Sequence, residues 1–582
     1  MSVEQISMNQ LITDNIDVWT STVKTKSTSG RGSSKKRELY GVKKLRELIL
    51  ELAVRGKLVP QDPTDEPAAI LLERIAEEKA QLVKDKKIKK PKMLPDMEDQ
   101  KPFLIPSNWS WSQLGFLTNY GVCDKAEPTS VSDDTWVLEL EDVEKITSTL
   151  LKKVRFSDRA FKSSKNQFQP EDVIYGKLRP YLDKVLIADE YGVCTTEMIP
   201  VRAYRDLTPG YLRLVMKSPY FINYANDSTH GMNLPRMGTD KARAALFPLA
   251  PLFEQHRIVA KVDELMTLCD QLEQQTEASI EAHQVLVTTL LDTLTNSADA
   301  DELMQNWARI SEHFDTLFTT EASIDQLKQT ILQLAVMGKL VPQDPTDEPA
   351  AKLLERIAEE KAQLIKDKKI KKQKALPPIT DDEKPFELPN GWEWCYLQGL
   401  FSVVTDGDHQ APPKADSGVP FLVIGNLNTG NIKFEDCKFV PDSYYQKLDW
   451  TRQPVKGDIL YTVTGSYGIP IVVKENKPFC VQRHVAILNS TKNTPIEFIR
   501  YVLLSKYSFD FATSVATGIA QKTVPLSGLR RMPVPLPPKN EVLAILEKID
   551  VMMSICDQLK ARLKDSQATQ LHLTDAIVEQ VA

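Results

Sequence analysis

Two nearly identical stretches organise the chain: ILELAVRGKLVPQDPTDEPAAILLERIAEEKAQLVKDKKIKK at Ile49–Lys90 and ILQLAVMGKLVPQDPTDEPAAKLLERIAEEKAQLIKDKKIKK at Ile331–Lys372. They align without a gap at an offset of 282 residues. The offset is far longer than the roughly 20 to 50 residues of a solenoid repeat. It indicates a tandem duplication of a half of about 290 residues. The four positions at which the copies differ are Glu51/Gln333, Arg55/Met337, Ile70/Lys352 and Val83/Ile365.

Within each copy, the apolar spacing predicts two helices joined by a rigid turn. In the first copy Leu45, Leu48 and Leu52 recur at helical spacing, and Gly56 is well placed to end that helix. The turn VPQDPTDEP follows, with Asp65 as the predicted N-cap of the second helix. That helix runs into the basic segment KDKKIKK. The segment fits a solvated helix end or a contact with a phosphate backbone.

Each copy leads into a region of unlike sequence. The entries KPFLIPSNWSW (101–111) and KPFELPNGWEW (384–394) match, and divergence follows them. The divergent regions, 104–250 and 386–535, carry short apolar strands, turns and few helical patterns. This texture is typical of β-rich domains of mixed class. The Gly-Ser-Tyr-Gly segment at 465–468 is best interpreted as a hairpin turn between two such strands.

Both divergent regions exit into long amphipathic helices. Apolar residues recur there at steps of three and four, as in a coiled-coil seam. We expect each helix to contain about 35–40 residues, with Cys269 and Cys556 as matching packed positions. The predicted seams are Ile258, Val262, Leu265, Cys269, Leu272, Ile280, Val287, Leu290 and Leu294, and Ile545, Ile549, Met552, Cys556, Leu559, Leu563, Leu573 and Ile577.

The predicted fold class is mixed α+β, with two β-rich α/β domains separated by two long antiparallel coiled-coil helices. Similar regions of one chain tend to pack about a pseudo-two-fold axis, which the internal repeat leads us to expect. The predicted divisions are 1–103 (N-terminal helices, a flexible Gly/Ser/Lys-rich linker at 24–36 and the first repeat), 104–250 (first variable domain), 251–385 (central long helix and second repeat), 386–535 (second variable domain) and 536–582 (C-terminal long helix).

Composition and motifs exclude several classes of protein. The net charge is −6, the hydrophobic fraction is 42%, and no apolar run reaches the roughly 18 residues of a membrane span. The N-terminus lacks the pattern of a secretory signal, and the 7 cysteines stand singly, as expected in a reducing cytoplasm. There is no GxxxxGK[ST], GxGxxG after a strand, HExxH, GxSxG or [DN]PP[YF] motif. A repeated scaffold with unlike tips instead suits the reading of two DNA half-sites at a fixed separation.

At the level of motifs, the whole chain resembles the specificity subunit (HsdS) of type I restriction-modification systems. LILELAVRGKLVPQDPTDEPA resembles that family's repeated region, and GKLRPYLDK at Gly176–Lys184 resembles a segment of its first recognition domain. TDGDHQAPP at Thr405–Pro413 resembles the opening of such a domain, and Met232–Met266 and Thr517–Pro538 resemble the domain exits. The second exit departs from the pattern, with NEVLAILEKID in place of the EQHRIVAKVD form.

The resemblance implies a non-catalytic, cytoplasmic subunit that binds double-stranded DNA. Two modification subunits would flank it and methylate one adenine in each half of a split, asymmetric sequence. Restriction subunits would add ATP-dependent translocation and cleavage. No cofactor is expected on this chain, because S-adenosylmethionine, ATP and Mg²⁺ belong to the partner subunits. If the modification subunits dock on the repeats, two of them should bind in equivalent ways, one per half.

Side chains suited to base contacts are Arg, Lys, Asn, Gln and Asp. For each candidate, a loop position or a phosphate contact is the competing interpretation, because most protein–DNA hydrogen bonds go to the backbone. Two other functions stay open: a targeting subunit of another methylation or phage-defence complex, and a coiled-coil scaffold that binds proteins. The candidate DNA contacts are Lys177, Arg179, Tyr181, Lys184, Asn233 and Arg236 in the first domain, and Asp408, His409, Ser466, Tyr467, Gln482, Arg483, Gln521 and Lys522 in the second.

Overall fold

The structure is a computed structural model that describes residues 8–26, 36–97, 101–410, 412–519 and 521–581. The chain divides into two compact units. Unit 1 runs to Ser279 and resumes at Ser566, and unit 2 comprises Ile280–Asp565. Each unit therefore contains one copy of the repeat and one divergent region, together with the last part of a long helix that begins in the other unit.

The elements of unit 1 follow the predicted order of helices, mixed domain and long helix. They are α1 (Met8–Asp14), α2 (Ile16–Ser21), β1 (Val23–Lys26), β2 (Lys36–Leu39), α3 (Tyr40–Val54), α4 (Ala68–Lys84), β3 (Ser110–Gln113), α5 (Leu114–Leu117), β4 (Lys125–Ala126), β5 (Trp136–Leu138), β6 (Lys165–Phe168), β7 (Val173–Gly176), β8 (Val185–Ile187), β9 (Gly192–Cys194), β10 (Met198–Val201), α6 (Pro209–Lys217), α7 (Pro219–Asp227), β11 (Thr229–His230), β12 (Arg236–Met237), α8 (Thr239–Ala244), β13 (Leu246–Leu249) and α9 (Leu252–Thr295).

Unit 2 repeats this order after the last turns of α9. Its elements are α10 (Ala300–Ser311), α11 (Phe314–Leu317), α12 (Glu321–Val336), α13 (Ala350–Lys366), β14 (Glu393–Tyr396), α14 (Leu397–Leu400), β15 (Val403–Asp406), β16 (Val419–Leu422), β17 (Lys438–Val440), α15 (Asp442–Tyr445), β18 (Ile459–Thr462), β19 (Pro470–Val472), β20 (Cys480–Val481), β21 (Val485–Asn489), α16 (Ile496–Leu504), α17 (Lys506–Val515), α18 (Leu526–Arg530), β22 (Pro533–Leu536) and α19 (Lys539–Val581).

The repeated stretch forms α3 and α4 in unit 1, and α12 and α13 in unit 2. The predicted core positions Leu45, Leu48 and Leu52 are buried, as the helical spacing requires. Gly56 ends α3 in the left-handed region, with φ +69°, and a Cβ there would lie 2.5 Å from Cγ of Pro106. Gly338 repeats this, with φ +70° and the same distance to a proline. Glycine is therefore required by both the backbone angle and the close approach.

The predicted N-cap of α4 is wrong. Pro67 occupies the cap position, and no side chain caps the helix. The carboxylate of Asp65 is buried and instead accepts a hydrogen bond from Nη2 of Arg257 in α9 at 2.5 Å. This side chain therefore joins the repeat to the long helix. The contact cannot be predicted from local sequence, because Arg257 is far from Asp65 in the chain.

The two divergent regions fold into mixed domains of the same plan, which confirms the predicted fold class. In unit 1 a three-stranded sheet has the order β10-β7-β8 and a four-stranded sheet the order β4-β6-β9-β5. In unit 2 the sheets are β15-β21-β18-β19 and β17-β16-β20. β18 pairs antiparallel with β19, so the interpretation of 465–468 as a hairpin turn is confirmed.

Each domain enters and leaves the frame as one antiparallel strand pair. β3 pairs with β13, and β14 pairs with β22. Because the first and last strands lie side by side, the chain between them can change without moving the points of attachment. We term the repeat helices, the entry and exit strands and the long helices the frame.

The long helices exceed their predicted length. α9 has 44 residues and α19 has 43, or about 65 Å each at 1.5 Å per residue. Most of the predicted seam is buried, including Cys269 and Cys556, and burial raises the pKa of both thiols to about 11. The prediction for the end of the α19 seam is wrong, because Leu573 is 46% exposed and Thr574 is buried.

The N-terminal part of the chain differs from prediction at the linker. The helices α1 and α2 agree with the expected helical start, and residues 1–7 lie outside the described part. Of the predicted linker at 24–36, residues 27–35 also lie outside it. The flanking strands β1 and β2 pair antiparallel, from Val23 opposite Leu39 to Lys26 opposite Lys36.

Candidate functional site

Matched buried contacts attach each domain to its long helix. In unit 1 Nε1 of Trp109 donates a hydrogen bond to Glu254 at 2.9 Å, and Nε2 of Gln61 donates to the same carboxylate at 2.5 Å. In unit 2 Trp392 donates to Glu541, also at 2.9 Å. Burial raises the pKa of both carboxyl groups. Each carboxylate lies in the first turn of a long helix, where the helix dipole favours negative charge.

A lysine of each repeat, buried in unit 1 and half-buried in unit 2, makes a second matched attachment. Nζ of Lys79 donates to the carbonyl of Phe116 at 2.7 Å, and Nζ of Lys361 donates to that of Gln398 at 2.7 Å. Burial lowers the pKa of both ammonium groups to about 8. The repeat therefore holds the start of its domain through backbone carbonyls, which leaves the domain sequence free to vary.

Loops collect at one edge of the central sheet in unit 1. Gly176 lies opposite Met198 and Tyr175 lies opposite Val185, so the carboxyl end of β7 meets the amino ends of β8 and β10. An isolated bridge joins Leu178 to Arg236 and thereby adds the β11–β12 hairpin to this edge. We term the loops 177–184, 195–197 and 229–237 loop edge 1.

All six candidates of the first domain lie on loop edge 1, and four of them lie where the loop after β7 meets the β11–β12 hairpin. Arg179 adopts a left-handed conformation, with φ 51°, and its backbone N–H donates to the carbonyl of Pro235 at 2.7 Å. Lys177 receives a backbone hydrogen bond from Met237. The guanidinium of Arg236 is bound to Glu197 at 2.9 Å. Asn233, the fourth, is exposed at the hairpin.

The other two first-domain candidates lie later in the loop 177–184, away from the β11–β12 hairpin. Tyr181 is 51% exposed in a 3₁₀ turn. Nζ of Lys184 instead donates to the carbonyl of Leu140 at 2.6 Å, and burial lowers its pKa. The structure thus gives Lys184 a partner inside the domain. Nearby, the buried carboxylate of Asp183 accepts from Nζ of Lys217 at 2.7 Å, and burial raises the pKa of Asp183 to about 6.

Unit 2 has an equivalent edge. Thr462 lies opposite Val485, and Asp406 lies opposite Ala486, so the carboxyl ends of β15 and β18 meet the amino end of β21. A bridge between Thr464 and Thr523 adds the segment that follows α17. We term the loops 407–410, 463–469, 482–484, 517–519 and 521–523 loop edge 2.

Asp408 is the centre of one group at loop edge 2. Its carboxylate accepts hydrogen bonds from the hydroxyl of Tyr444 at 2.9 Å and from Nη1 of Arg452 at 3.1 Å. Burial acts to raise its pKa, but these bonds outweigh burial, so the pKa is lowered and the group stays ionised. His409 is exposed and contacts Asp406, and Gln482 forms a bridge with Asp408.

The remaining candidates of the second domain lie on the neighbouring turns. Ser466 and Arg483 are exposed. The ring of Tyr467 stacks on Phe509 with centroids 5.6 Å apart, and its hydroxyl is bonded to Thr513. Lys522 accepts a backbone hydrogen bond from Gly465 at 3.0 Å, while its side chain is exposed, as is Gln521.

Several residues of the edges were not anticipated from sequence. Glu197, Tyr444 and Arg452 hold candidate side chains in place, yet they belong to none of the motifs that drew attention to the loops. Met232 and Ile519 stand fully exposed in the corresponding hairpins, each directly after a glycine with positive φ. The matched glycine–apolar pair was the available signal for these two.

Two general findings apply to the described residues alone. Among them, no cluster of three or more His, Cys, Asp or Glu side chains is arranged to hold a metal ion. No helix of the described ranges combines the length and apolarity needed to cross a membrane.

The two units define a class of protein: a duplicated helical frame that carries two mixed α/β domains, each with polar and basic loops at one edge. No protein-family model matches the sequence. Two curated proteins of Escherichia coli, the specificity subunits of the type I restriction enzymes EcoAI and EcoEI, are each 41% identical to this chain over 99% of both chains. The chain therefore belongs to the specificity subunits of type I restriction enzymes.

A solved structure agrees with this assignment at the level of fold. It comes from work on complex assembly and conformational transition of a type I restriction-modification system. It covers 82% of this chain and 99% of its own, with a TM-score of 0.50 and 18% sequence identity. At this identity the likeness concerns the fold alone.

Proposed function

We propose that this chain is the non-catalytic, DNA-binding subunit of a cytoplasmic type I restriction-modification complex. Each variable domain reads one half of a bipartite, asymmetric target. Two modification subunits methylate one adenine in each half, and restriction subunits add cleavage. S-adenosylmethionine, ATP and Mg²⁺ act on those partners rather than on this chain.

One observation carries the proposal: the two units share matched attachments of domain to frame while their loop edges differ. The contacts of Trp109 and Trp392 with their glutamates are the same length. The loop edges instead present different side chains, with Arg179 and Arg236 on one and Asp408 and Arg483 on the other. A constant frame with unlike edges suits a reader of two unlike half-sites.

The chemistry of the edges fits base and phosphate recognition. Arginine and lysine match guanine, asparagine and glutamine match adenine, and an ionised aspartate accepts from cytosine. The lowered pKa of Asp408 keeps that acceptor ionised. The basic segments also remain exposed in both units, at Lys86, Lys87, Lys89 and Lys90 and at Lys368, Lys369, Lys371 and Lys372. They supply the non-specific part of binding through phosphate contacts.

The test is to map methylation by the chain together with its modification subunits. The complex is incubated with plasmid DNA and S-adenosylmethionine, and modified adenines are located by single-molecule sequencing. We expect one split motif with a gap of fixed length and one methylated adenine in each half. A continuous motif, or methylation without a motif, would contradict the proposal. The modification subunits without this chain serve as the control.

A further inference from the structure

The same trio of aromatic rings occurs in both units, next to the end of the first repeat helix. In unit 1 the ring of Phe103 lies 4.9 Å from Trp111 and 5.2 Å from Tyr220, measured between centroids. In unit 2 Phe386 lies 5.1 Å from Trp394 and 5.9 Å from Tyr507. Both tyrosine hydroxyls donate to a backbone carbonyl of the domain's last strand, that of Leu246 or Pro533. The trio is therefore part of the frame.

Unit 1 covers its trio with its own arginine. The guanidinium carbon of Arg55 lies 5.0 Å from the centre of the Phe103 ring, a distance suited to a cation–π contact. Nε and Nη2 of Arg55 also approach one carboxylate oxygen of Glu51, at 2.8 and 2.7 Å. The site is thus a guanidinium held between a ring and a carboxylate.

Unit 2 lacks this arginine. Two of the four differences between the repeats fall here, because Gln333 and Met337 stand where unit 1 has Glu51 and Arg55. They line an open cleft of about 590 Å³ beside Phe386 and Tyr507. Half of the differences between the near-identical repeats therefore lie at this one site.

The domain of unit 2 supplies an ion pair beside the position where the second repeat lacks the Glu51–Arg55 pair. α7 and α17 both begin after an N-cap serine, Ser218 or Ser505, and this alignment places Asp510 where unit 1 has Asn223. Asp510 and Glu383 line the cleft, where Asp510 pairs with Lys506 of the same helix and Glu383 pairs with Arg531 at 3.2 Å. The cleft therefore keeps a ring and has a carboxylate in an exposed pair with lysine, but it has no guanidinium from its repeat.

We propose that the cleft of unit 2 binds the guanidinium of an arginine side chain presented by a partner protein. Unit 1 fills the corresponding site with Arg55, so only unit 2 offers it. A guanidinium suits the site because it can stack on the ring and bond Asp510 at the same time. The pair of Asp510 with Lys506 is exposed and therefore weak, so a guanidinium can replace the lysine. Given the proposed function, the partner is a modification subunit, and the two copies dock in non-equivalent ways, contrary to the equivalence expected from the repeats.

The first experiment needs neither DNA nor a partner. The full chain is labelled with 5-fluorotryptophan, and Trp111 and Trp394 serve as matched reporters in fluorine NMR. The probe is N-acetyl-arginine amide, and its neutral isostere N-acetyl-citrulline amide is the control. We expect the Trp394 signal to shift saturably with the arginine probe, at least about threefold more tightly than with citrulline, while Trp111 does not respond.

The repeats supply the variants, because each exchanged residue already occurs at the equivalent position. Gln333→Glu with Met337→Arg fills the cleft, and we expect the Trp394 response to disappear. Glu51→Gln, Arg55→Met and Asn223→Asp together open the site of unit 1, and we expect Trp111 to respond. Absence of a Trp394 response in the parent chain, equal binding of citrulline, or retained binding in the filled variant would overturn the site.

The second experiment tests the partner. Native mass spectrometry follows the binding of modification subunits to the parent chain and to the filled variant. We expect one of the two copies to bind roughly three- to thirtyfold more weakly to the filled variant. Unchanged affinity of both copies would overturn docking by that subunit, whatever the probe shows. Because neither readout involves DNA, failure here is distinct from failure to recognise a sequence.

Discussion

The frame and the loop edges obey different constraints. In the frame, unit 1 and unit 2 share matched contacts of equal length, such as Trp109–Glu254 and Trp392–Glu541. At the loop edges, each unit holds its side chains in its own way, through the Arg236–Glu197 ion pair or the Asp408–Arg452 pair. The two units therefore share the contacts that attach each domain to the frame, whereas the side chains at their loop edges differ. The contrast predicts which substitutions act equally in both units and which act in one.

The largest expected effect comes from exchanging a whole domain. Replacing residues 104–250 by the same domain of another specificity subunit should change one half of the methylated motif completely. The other half and the gap should stay as they were, because β3 and β13 preserve the attachment. Methylation mapping measures the outcome, and exchange of residues 386–535 is the matched control for the opposite half. A change in both halves after one exchange would show that the domains are not independent.

Breaking the frame should cost the two units similar amounts. Glu254→Ala leaves the indole N–H of Trp109 without its buried acceptor, and Glu541→Ala does the same to Trp392. We expect each to lower the free energy of unfolding of its own unit by about 2–4 kcal/mol. Hydrogen exchange followed by mass spectrometry locates the loss in one unit or the other.

The control for this pair is Glu281→Ala at an exposed position of α9, which should change little. Loss of protection after Glu254→Ala without a comparable loss after Glu541→Ala would mean that equal geometry does not imply equal energy here.

A smaller, pH-dependent effect should distinguish loop edge 1. Burial raises the pKa of Asp183 to about 6, so the folded unit holds this proton more tightly than the unfolded chain does. The stabilisation of the folded unit by the protonated Asp183 carboxyl group is therefore fully present below about pH 4 and is lost as pH rises through about 6. In the parent chain, the free energy of unfolding should decrease by about 1–3 kcal/mol over that range. In the Asp183→Asn variant, this decrease should be absent. Urea unfolding of both proteins at several pH values measures it, and identical slopes would contradict the prediction.

Much of the frame follows from sequence because it repeats and because its helices are periodic. Apolar spacing predicts the burial of Leu45 and Leu48, and the glycine at position 56 predicts the end of α3. The wrong predictions concern side chains that bind residues distant in sequence. Asp65 binds Arg257 instead of capping α4. At the end of α19, Thr574 is buried in place of Leu573 because its hydroxyl lies 3.0 Å from that of Thr22. Sequence periodicity carries no information about such tertiary partners.

The sequence predicts which loop segments form the candidate sites, but not which of their side chains are free to contact DNA. Loop motifs such as GKLRPYLDK and TDGDHQAPP identified the segments that meet at the edges. They could not tell which side chains are already engaged, because that depends on residues far away in sequence. Lys184 donates to Leu140, and Tyr467 stacks on Phe509. The structure therefore separates exposed candidates from engaged ones, although it leaves their contacts with DNA a prediction.

That separation gives the smallest expected effect. Arg483 and Lys522 are exposed at loop edge 2, whereas the ammonium of Lys184 is bound inside its domain. If the first two contact phosphates, Arg483→Ala or Lys522→Ala should each lower DNA affinity a few-fold and reduce the slope of log K against log salt by about 1. Lys184→Ala should leave the slope unchanged. Fluorescence anisotropy of the complex with modification subunits, measured from low to moderate salt, checks all three. An unchanged slope in the first two variants would show that Arg483 and Lys522 do not contact phosphates. A reduced slope for Lys184→Ala would show that side-chain exposure does not distinguish the residues that contact DNA.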